Sequence, residues 1–416
     1  MSKPRALIIG GSLAGMFAAH LLRANGWRVD VYERSAEDLA GRGAGLGSHE
    51  ALVAILKRIG IDFSAPLGVA IPRYVWLDKD GGVVADVPRP RLMTAWSRLY
   101  RPLKDLLPRE NYHAAKSLVR VEQDAASVTA HFADGSQASG ELLVGADGIR
   151  STVRAQFLPQ AKPEYAGYLA WRGLADENAV SAETRRVLSD RMGFCLPPGE
   201  QMLTYLVAGR NNSTRPGERR FNFVWYRPAH EQTELRELFT DAHGRYYEQN
   251  IPPDRIRPQV IADMHATATR LLAPVFVDVI KATREPLFQP IYDLQSAELA
   301  FGRVALLGDA AFVARPHVGL GVTKAAGDAA LLVDALVARP TDVPGALQTY
   351  AGKRLEFGRA IVAHARLLGL AVGPPGITGP QASLIAHLRR PEVVMREIAV
   401  PDWAERSIAL SRLQVT

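Results

Sequence analysis

The alternation of apolar and polar positions at the start of the chain predicts a strand–helix–strand unit. Residues 5–9 form a short apolar run that is typical of a buried strand, and residues 13–24 carry apolar side chains at helical spacing. The pair Asn25-Gly26 follows, a combination that commonly ends a helix. Residues 27–32 then alternate as a second strand. This order indicates the βαβ start of a parallel sheet.

The same periodicities continue along the chain and predict a mixed α/β protein. Further helices are predicted at residues 49–58, 96–107, 321–339 and 345–370. Further strands are predicted at residues 73–77, 83–87, 118–122, 127–132, 141–144 and 304–307. Residues 165–290 are poor in long helical periodicity and contain several β-rich runs. We therefore expect a second domain built on a sheet, inserted before the C-terminal helices.

Composition indicates a globular protein that folds without disulfide bonds or a metal ion. The 416 residues are 47% hydrophobic and 22% charged, which are ordinary values for a chain too long to form one compact core. Cys195 is the single cysteine, which excludes a disulfide framework, a thiolate zinc site and a Cys-x-x-Cys redox pair. This usage fits a reducing compartment, so we expect a cytoplasmic protein.

The net charge of +7 has two interpretations. It suits anionic ligands such as NADPH, or it reflects a surface rich in arginine. Basic residues are scattered singly, so we expect no nucleic-acid binding. The basic start and apolar residues 6–22 imitate a signal peptide, but Gly10, Gly11 and Gly15 interrupt the run. No uninterrupted apolar stretch of about 18 residues exists, so we expect no membrane span.

The first motif is the turn between the first strand and the first helix. Gly10 and Gly15 occupy the first and third glycine positions of the dinucleotide fingerprint, which serve the tight turn and the close helix–strand packing. Ser12 replaces the second glycine and can still donate to a phosphate at the helix N-terminus. Glu33 lies 18 positions after Gly15, where an acid accepts bonds from ribose hydroxyls. An ordinary βα turn is the alternative.

The second motif is Asp147-Gly148, which ends an apolar strand and precedes Ser151, a residue able to begin a helix. By itself an Asp-Gly pair predicts only a turn.

The third motif begins at Gly308-Asp309, again at the end of a strand. A carboxylate at this place can accept hydrogen bonds from the hydroxyls of a ribityl chain. The glycine-rich segment 316–321 then leads into a helix, whose first N–H groups and positive dipole end suit developing negative charge.

These three motifs, in this order and spacing, resemble the FAD-binding signature of the aromatic-ring flavoprotein monooxygenases, the para-hydroxybenzoate hydroxylase-like group. The resemblance extends over essentially the whole chain and includes segments 42–46, 96–100 and 350–354. Within the group, segments 170–173 and 315–326 are similar to the 2,6-dihydroxypyridine 3-hydroxylase branch. Lys324 stands where the wider group usually has an asparagine or a similar residue, a departure that suits the pyridine branch.

The resemblance implies a Rossmann-like FAD-binding domain with an inserted sheet-based substrate domain and C-terminal helices. We predict that the FAD-binding domain comprises residues 1–72, 95–164 and 291–345. The substrate domain then comprises residues 73–94 and 165–290, and residues 346–416 form a C-terminal helical segment.

The resemblance also implies the cofactors and the residues that bind them. FAD would be reduced by NADPH or NADH and would pass one oxygen atom of O2 to the ring as a flavin hydroperoxide. The residues implied for FAD are Gly10, Ser12, Leu13, Ala14, Gly15, Glu33, Arg34, Arg42, Arg98, Asp147, Asp309, Gly319, Leu320 and Gly321. Of these, Asp147 would organise the pyrophosphate site rather than contact FAD directly.

A hydroxylated ring attacks faster once its hydroxyl is deprotonated, so we expect a base or a hydrogen-bond relay. His317 is the first candidate because Pro316-His317 should lie beside the flavin ring; the alternative is a solvent-facing histidine. Weaker pocket candidates are His49, Tyr226, Arg172, Trp225 and His265. Because Trp225 and Tyr226 alternate along a strand, at most one of them faces the pocket.

Several alternatives stay open at this point. Segment 43–47 follows no predicted strand and is expected to be a flexible loop, so the single fingerprint disfavours a disulfide-reductase architecture. Another substrate would be a salicylate-like phenol, for which Arg172 and Arg227 could bind the carboxylate, or a urate-like purine. A non-oxygenating FAD-dependent reductase of the same fold is a further alternative. The oligomeric state is open, with a homodimer as one option.

Overall fold

The structure alternates strands and helices along most of its length. The computed structural model describes residues 3–39, 45–48, 50–61, 67–248, 250–373 and 378–398. Within these ranges the strands are β1 (Arg5–Ile9), β2 (Arg28–Tyr32), β3 (Gly45–Ser48), β4 (Val69–Leu77), β5 (Val83–Ala95), β6 (Tyr112–His113), β7 (Leu118–Gln123), β8 (Val128–Phe132), β9 (Gln137–Gly140), β10 (Leu142–Gly145), β11 (Glu164–Asp176), β12 (Arg191–Cys195), β13 (Gln201–Val207), β14 (Arg220–Pro228), β15 (Leu287–Gln295), β16 (Ala300–Phe301), β17 (Val304–Leu306) and β18 (Phe312–Val313). The helices are α1 (Leu13–Ala24), α2 (Glu50–Arg58), α3 (Trp96–Leu106), α4 (Thr152–Phe157), α5 (Ala182–Leu188), α6 (Arg236–Leu238), α7 (Pro258–Leu271), α8 (Pro274–Lys281), α9 (Gly321–Ala338), α10 (Val343–Gly369), α11 (Pro380–Leu388) and α12 (Pro391–Glu397).

A mostly parallel sheet carries all three sequence motifs, which follow the ends of β1, β10 and β17. Its strand order is β16-β17-β10-β1-β2-β6. Strand β1 pairs in parallel with β2 and β10, and β10 pairs in parallel with β17. Parallel neighbours need a crossover connection, which α1 supplies between β1 and β2. The predicted βαβ unit and the Rossmann-like α/β class are therefore confirmed.

A second, larger sheet contains the strands of the region predicted to be β-rich. Its order is β18-β15-β11-β14-β13-β12-β4-β5-β3. Side chains alternate between its two faces. Trp171, Phe223 and Trp225 share one face, which packs with α8 residues such as Phe276 in a single hydrophobic cluster. A separate hydrophobic cluster joins β1, β2, β10 and β17 to α1, α9 and α10.

A small third sheet, of order β7-β8-β9, packs next to α4 and completes the strand set of the described residues. Two of its strands were predicted and β9 was not, because its sequence, Gln137–Gly140, is short and polar. Among the described residues, no helix is both long and apolar enough to cross a lipid bilayer.

Two expectations about local structure are wrong. Residues 45–48 form the edge strand β3 rather than a loop: β3 pairs antiparallel with β5, and the Gly45 amide donates to the Asn222 side chain at 3.1 Å. Residues 258–281 form two helices inside the region expected to be poor in helix. Pro258 begins α7, and its buried residues are Val260, Met264 and Ala268. Their spacing of four is helical but involves only three positions, so it was not recognised in the sequence.

Replacement of Trp225 tests whether the helix-covered face of the second sheet is core. Trp225 is fully buried and its indole N–H donates to Glu200 at 2.8 Å. We expect Trp225→Ala to lower the free energy of unfolding by about 3–5 kcal/mol, since a large cavity opens and Glu200 loses a donor. Urea denaturation followed by circular dichroism measures this. Val337→Ala, at a 54% exposed position of α9, is the control and should change stability little; an equally small loss for Trp225→Ala would contradict the assignment.

Candidate active site

The turn between β1 and α1 has the geometry of a dinucleotide site. Gly10 has a φ of 108°, and a Cβ at this position would lie 2.3 Å from the carbonyl oxygen of Ala146. A Cβ at Gly15 would lie 1.9 Å from the Gly10 carbonyl oxygen. Both positions therefore exclude a side chain, as the fingerprint requires. Ser12 is the N-cap of α1 and its side chain makes no capping bond, so the first N–H groups of the helix, including those of Leu13 and Ala14, are left for a ligand.

A cleft of about 430 Å³ opens around this turn, and we call it the turn cleft. Among its lining residues are Gly10, Ser12, Glu33, Arg34, Asp147 and Arg150. The Glu33 carboxylate is buried and accepts hydrogen bonds from the amides of Gly11, at 2.8 Å, and Ser35, at 2.9 Å. Glu33 thus also stabilises the turn that the cleft surrounds.

Asp147 caps α4 and faces the turn cleft. Its Oδ2 accepts from the amides of Thr152, at 2.7 Å, and Val153, at 3.2 Å. Its Oδ1 is buried and has no hydrogen-bond partner among the described residues. Burial raises the pKa of this carboxyl group. An unsatisfied buried oxygen beside the cleft indicates a place for a donor from a ligand or water.

Of the two arginines expected near the ribose or pyrophosphate, the structure describes one, and it does not line the turn cleft. Arg98, on α3, is buried and donates to the carbonyl of Asn212 at 2.6 Å, and it lines neither of the two cavities. Arg42 lies outside the described residues, as does His49.

A larger cavity of about 660 Å³ lies against the second sheet, and we call it the sheet cavity. One wall is the sheet face opposite α8, with Arg172, Leu203, Tyr205, Val224, Tyr226 and Gln289. The facing wall is segment 313–322 together with Asp309. Arg150 lines both the turn cleft and the sheet cavity, so the two spaces meet at this residue.

A buried ionic network supports the third motif. Lys324 donates to the Gly308 carbonyl at 2.7 Å, and its Nζ lies 3.7 Å from Asp309 Oδ1 and 3.8 Å from Asp328 Oδ2. Asp328 accepts from the Gly308 amide at 2.9 Å and pairs with Arg354 of α10. The Asp309 side chain is 56% accessible because it opens into the sheet cavity, while the protein encloses its other sides. This desolvation raises the pKa of Asp309.

The residues present fit FAD both at the turn cleft and at the adjoining sheet cavity. Gly319, in the left-handed conformation with φ 64°, and Leu320 precede α9, whose N-terminus has no side-chain cap and borders the sheet cavity. The N-terminus of α1 is likewise without a side-chain cap at the turn cleft. Two helix N-termini and the Asp309 carboxylate offer donors for a pyrophosphate, donors for a flavin edge, and an acceptor for ribityl hydroxyls.

His317 is buried rather than exposed to solvent. Its Nε2 lies 2.7 Å from the Tyr168 hydroxyl, and its ring packs on Tyr226 with centroids 4.4 Å apart. Its Nδ1 is buried with no hydrogen-bond partner among the described residues. Burial and the charge of Arg315 lower the pKa of His317 to about 3, so the imidazole is neutral near pH 7. Pro316 and His317 both line the sheet cavity.

The structure brings only some of the expected substrate residues to the sheet cavity. Arg172 and Tyr226 line it. Trp225 lies on the opposite, helix-covered face, because neighbouring residues of β14 point to opposite sides. His265 lies on the unpredicted helix α7, which does not border the cavity. The proposals for Trp225 and His265 are therefore corrected.

Sequence reasoning missed Tyr205, Gln289 and Tyr168. Tyr205 belongs to β13, in which every residue is buried, so no alternation shows which side faces the cavity. Gln289 reaches Arg172 only through the pairing of β11 with β15. The one local signal that could have found Tyr168 is its position two residues before the 170–173 segment on the same strand.

Two family models match the chain. A model of an NAD(P)-binding Rossmann-like domain matches residues 8–46, which include β1, α1 and β2. A model described as FAD binding domain-like matches residues 165–293, which span most of β11 to β15.

Known proteins resemble the chain over most of its length. It is 32% identical over 357 residues to 2,6-dihydroxypyridine 3-monooxygenase of Paenarthrobacter nicotinovorans, covering 86% of this chain and 88% of that protein. The solved structure of 2,6-dihydroxypyridine-3-hydroxylase from Arthrobacter nicotinovorans superposes with a TM-score of 0.84 at 30% identity, covering 92% and 96%. Klebsiella pneumoniae HpxO, solved with FAD and uric acid, gives a TM-score of 0.75 at 25% identity, covering 98% and 95%.

Removal of the Asp309 carboxylate tests the cofactor site. We expect Asp309→Ala to purify mostly without FAD, because the ribityl hydroxyls lose their acceptor. The flavin-to-protein absorbance ratio after gel filtration measures the loss. Asp254→Ala, whose carboxylate is 74% exposed, is the matched control and should keep its FAD. Yellow, fully loaded Asp309→Ala protein would contradict the assignment.

Removal of Asp328 tests the buried network. Asp328→Ala leaves the buried Lys324 and Arg354 cations without this carboxylate, so we expect the free energy of unfolding to fall by about 3–5 kcal/mol. Asp334→Ala on the same helix breaks an exposed pair with Arg58 and should cost at most about 1 kcal/mol. Urea denaturation of both variants, with excess FAD, measures the difference. Equal losses would show that the network contributes no more than a surface ion pair.

Proposed function

The chain belongs to the family of FAD-binding monooxygenases, and from this premise we propose that it hydroxylates a small hydroxylated aromatic or N-heteroaromatic ring such as 2,6-dihydroxypyridine. NADPH or NADH and O2 are the co-substrates. In each turnover NAD(P)H supplies two electrons and one proton is consumed. One atom of O2 enters the ring and the other leaves as water.

The observation that carries this proposal is the meeting of the turn cleft and the sheet cavity at Arg150. The α1 N-terminus would hold the ADP end of a dinucleotide, Asp309 would lie along its middle, and the α9 N-terminus would hold its redox-active end against the sheet cavity. The remaining space is bounded by Arg172, Tyr226 and apolar side chains such as Leu203, a lining suited to a small polar ring.

When bound, FAD would supply the redox chemistry, namely acceptance of electrons from NAD(P)H and transfer of oxygen to the ring. The chain binds and orients both partners. We assign the α1 N-terminus and Glu33 to the ADP part, Asp309 to the ribityl chain, and segment 319–321 to the flavin edge. Pro316 and Tyr226 bound the space for the ring, and His317 supports Tyr226 through a tilted ring contact. Together these residues would hold the flavin and the ring away from bulk water.

The pyridine substrate is favoured over a salicylate-like one. Recognition of a carboxylate by two arginines would need Arg227 beside Arg172, but Arg227 pairs with Glu200 at 3.2 Å and stacks on Trp225, outside the sheet cavity. A purine substrate keeps support from the structural likeness to the protein solved with uric acid. The cytoplasmic location, the domain boundaries and a homodimer stay predictions.

Oxygen consumption by the FAD-loaded protein tests the proposed function. We expect 2,6-dihydroxypyridine to stimulate NAD(P)H-dependent O2 uptake strongly and to yield a product heavier by one oxygen atom, labelled when labelled O2 is used. Resorcinol, salicylate and urate, each with NADH and with NADPH, complete the panel. Nicotinamide oxidation without oxygen incorporation would instead indicate a reductase, and stimulation by urate alone would indicate the purine.

A further inference from the structure

Three hydrogen-bond donors lie in three successive rows of the sheet wall of the sheet cavity. Arg172 pairs with Val224, in a row that also contains Leu203. Tyr226 lies two residues from Val224 along β14, and Tyr205 lies two residues from Leu203 along β13. Rows two residues apart along a strand are separated by about 7 Å. Arg172 therefore stands between the rows of the two tyrosines, on the same face.

None of the described carboxylates pairs with the Arg172 guanidinium. One of its Nη atoms donates to the Gln289 side-chain oxygen at 3.1 Å. Its Nε is buried without a hydrogen-bond partner, and no carboxylate among the described residues lies within ion-pair distance. A partly buried cation that lacks an acidic partner is costly unless a ligand supplies the negative charge.

The hydroxyls of Tyr205 and Tyr226 are hydrogen-bond donors without an acceptor among the described residues. Neither hydroxyl has a hydrogen-bond partner in the described part of the chain, although both side chains line the sheet cavity. Burial raises the pKa of Tyr205 to about 12 and also raises the pKa of Tyr226, while the charge of Arg172 opposes both shifts. The hydroxyls therefore keep their protons near pH 7 and can donate them in hydrogen bonds.

Among the described residues that line the sheet cavity, none on the sheet wall can accept a proton from a ring hydroxyl. Its one carboxylate is that of Asp309, which lies beside Lys324, whereas its basic side chains are Arg150, Lys162, Arg172 and Arg315. The two nitrogens of His317 are occupied or enclosed, since Nε2 bonds Tyr168 and Nδ1 is buried. The wall is built to receive negative charge, not to take up a proton.

From this arrangement we infer that Arg172 binds an ionised ring oxygen, with the hydroxyls of Tyr205 and Tyr226 donating to the ring from the rows on either side, so the enzyme selects rings whose hydroxyl has already lost its proton. This rests on the proposed function and names the substrate's charge state. The ring hydroxyl releases its proton to water before binding, and the resulting oxyanion is the electron-rich form that attacks oxygen most readily. Acidic hydroxypyridines then fit better than resorcinol, which has the same hydroxyl spacing but ionises at higher pH.

Anaerobic titration of the oxidised holoenzyme with the ring measures this binding through the change in flavin absorbance. The ring is 2,6-dihydroxypyridine, or the ring of the panel that stimulates the most O2 uptake. We expect Arg172→Met to raise Kd roughly 10- to 150-fold, and Tyr226→Phe and Tyr205→Phe roughly 2- to 10-fold each. Arg172→Lys should recover part of the loss. Arg186→Met, on the exposed surface of α5, removes the same charge and should leave Kd unchanged.

The pH dependence of Kd separates the inference from its alternative. If the anion alone binds, raising the pH by one unit lowers Kd about tenfold as long as the pH is below the ring's own pKa. Above that pKa, Kd is constant. The pH at which Kd becomes constant must move when a ring of different acidity replaces the first. If the titration of Asp309 set that pH instead, it would be the same for every ring. A Kd independent of pH below the ring's pKa, or an unchanged Kd in Arg172→Met with full FAD content, overturns the inference. Absence of O2 uptake with every ring instead overturns the proposed function.

Discussion

The buried carboxylate of Asp328 joins the segments on which both parts of the site depend. It accepts the Gly308 amide, pairs with Arg354 of α10 and lies beside Lys324 one helical turn earlier on α9. Gly308 in turn lies against Ala14 of α1. The end of β17, the start of α9 and the first helix are thus held in one arrangement. Two helix N-termini can serve one extended ligand because a single buried network fixes the distance between them.

The second constraint is the two-residue period of the large sheet. One face of β11 and β14 carries Trp171 and Trp225 into the core, and the other carries Arg172 and Tyr226 into the cavity. Core and site therefore use neighbouring residues of the same strands. The sheet needs the aromatic face for stability, and that face keeps the polar face rigid enough to hold the Tyr205 and Tyr226 hydroxyls, which have no hydrogen-bond partner among the described residues.

The sequence was most informative where structure is local. The fingerprint, the Asp-Gly turn and the glycine-rich entry to α9 are contiguous segments whose roles follow from the backbone, and their elements were predicted almost to the residue. The alternation of Trp225 and Tyr226 also limited the cavity to one of them. Which one could not be predicted, because both are buried aromatic residues and the choice depends on how β14 pairs with β11 and β13. His265 was misplaced because the helix that carries it, α7, was not predicted from its short apolar pattern.

The departure at Lys324 was visible in the sequence, but its meaning required three dimensions. Its ammonium group is bound between Gly308, Asp309 and Asp328. The first two follow the end of β17, and Asp328 lies one turn further along α9. A motif shows which residues are unusual, and the tertiary contacts show what they touch. The same holds for Tyr205, whose strand is buried along its whole length.

Segregation of the two sheet faces also bears on how such proteins diversify. Substitutions at alternate positions of β11, β13 and β14 can alter the cavity while the residues between them preserve the core. Mutations that change the accepted ring are then largely free of a penalty in folding, and selection can explore them one at a time. A lineage built on this sheet can acquire new substrates while its backbone stays nearly constant, which is consistent with the close superposition of chains that share only a quarter to a third of their residues.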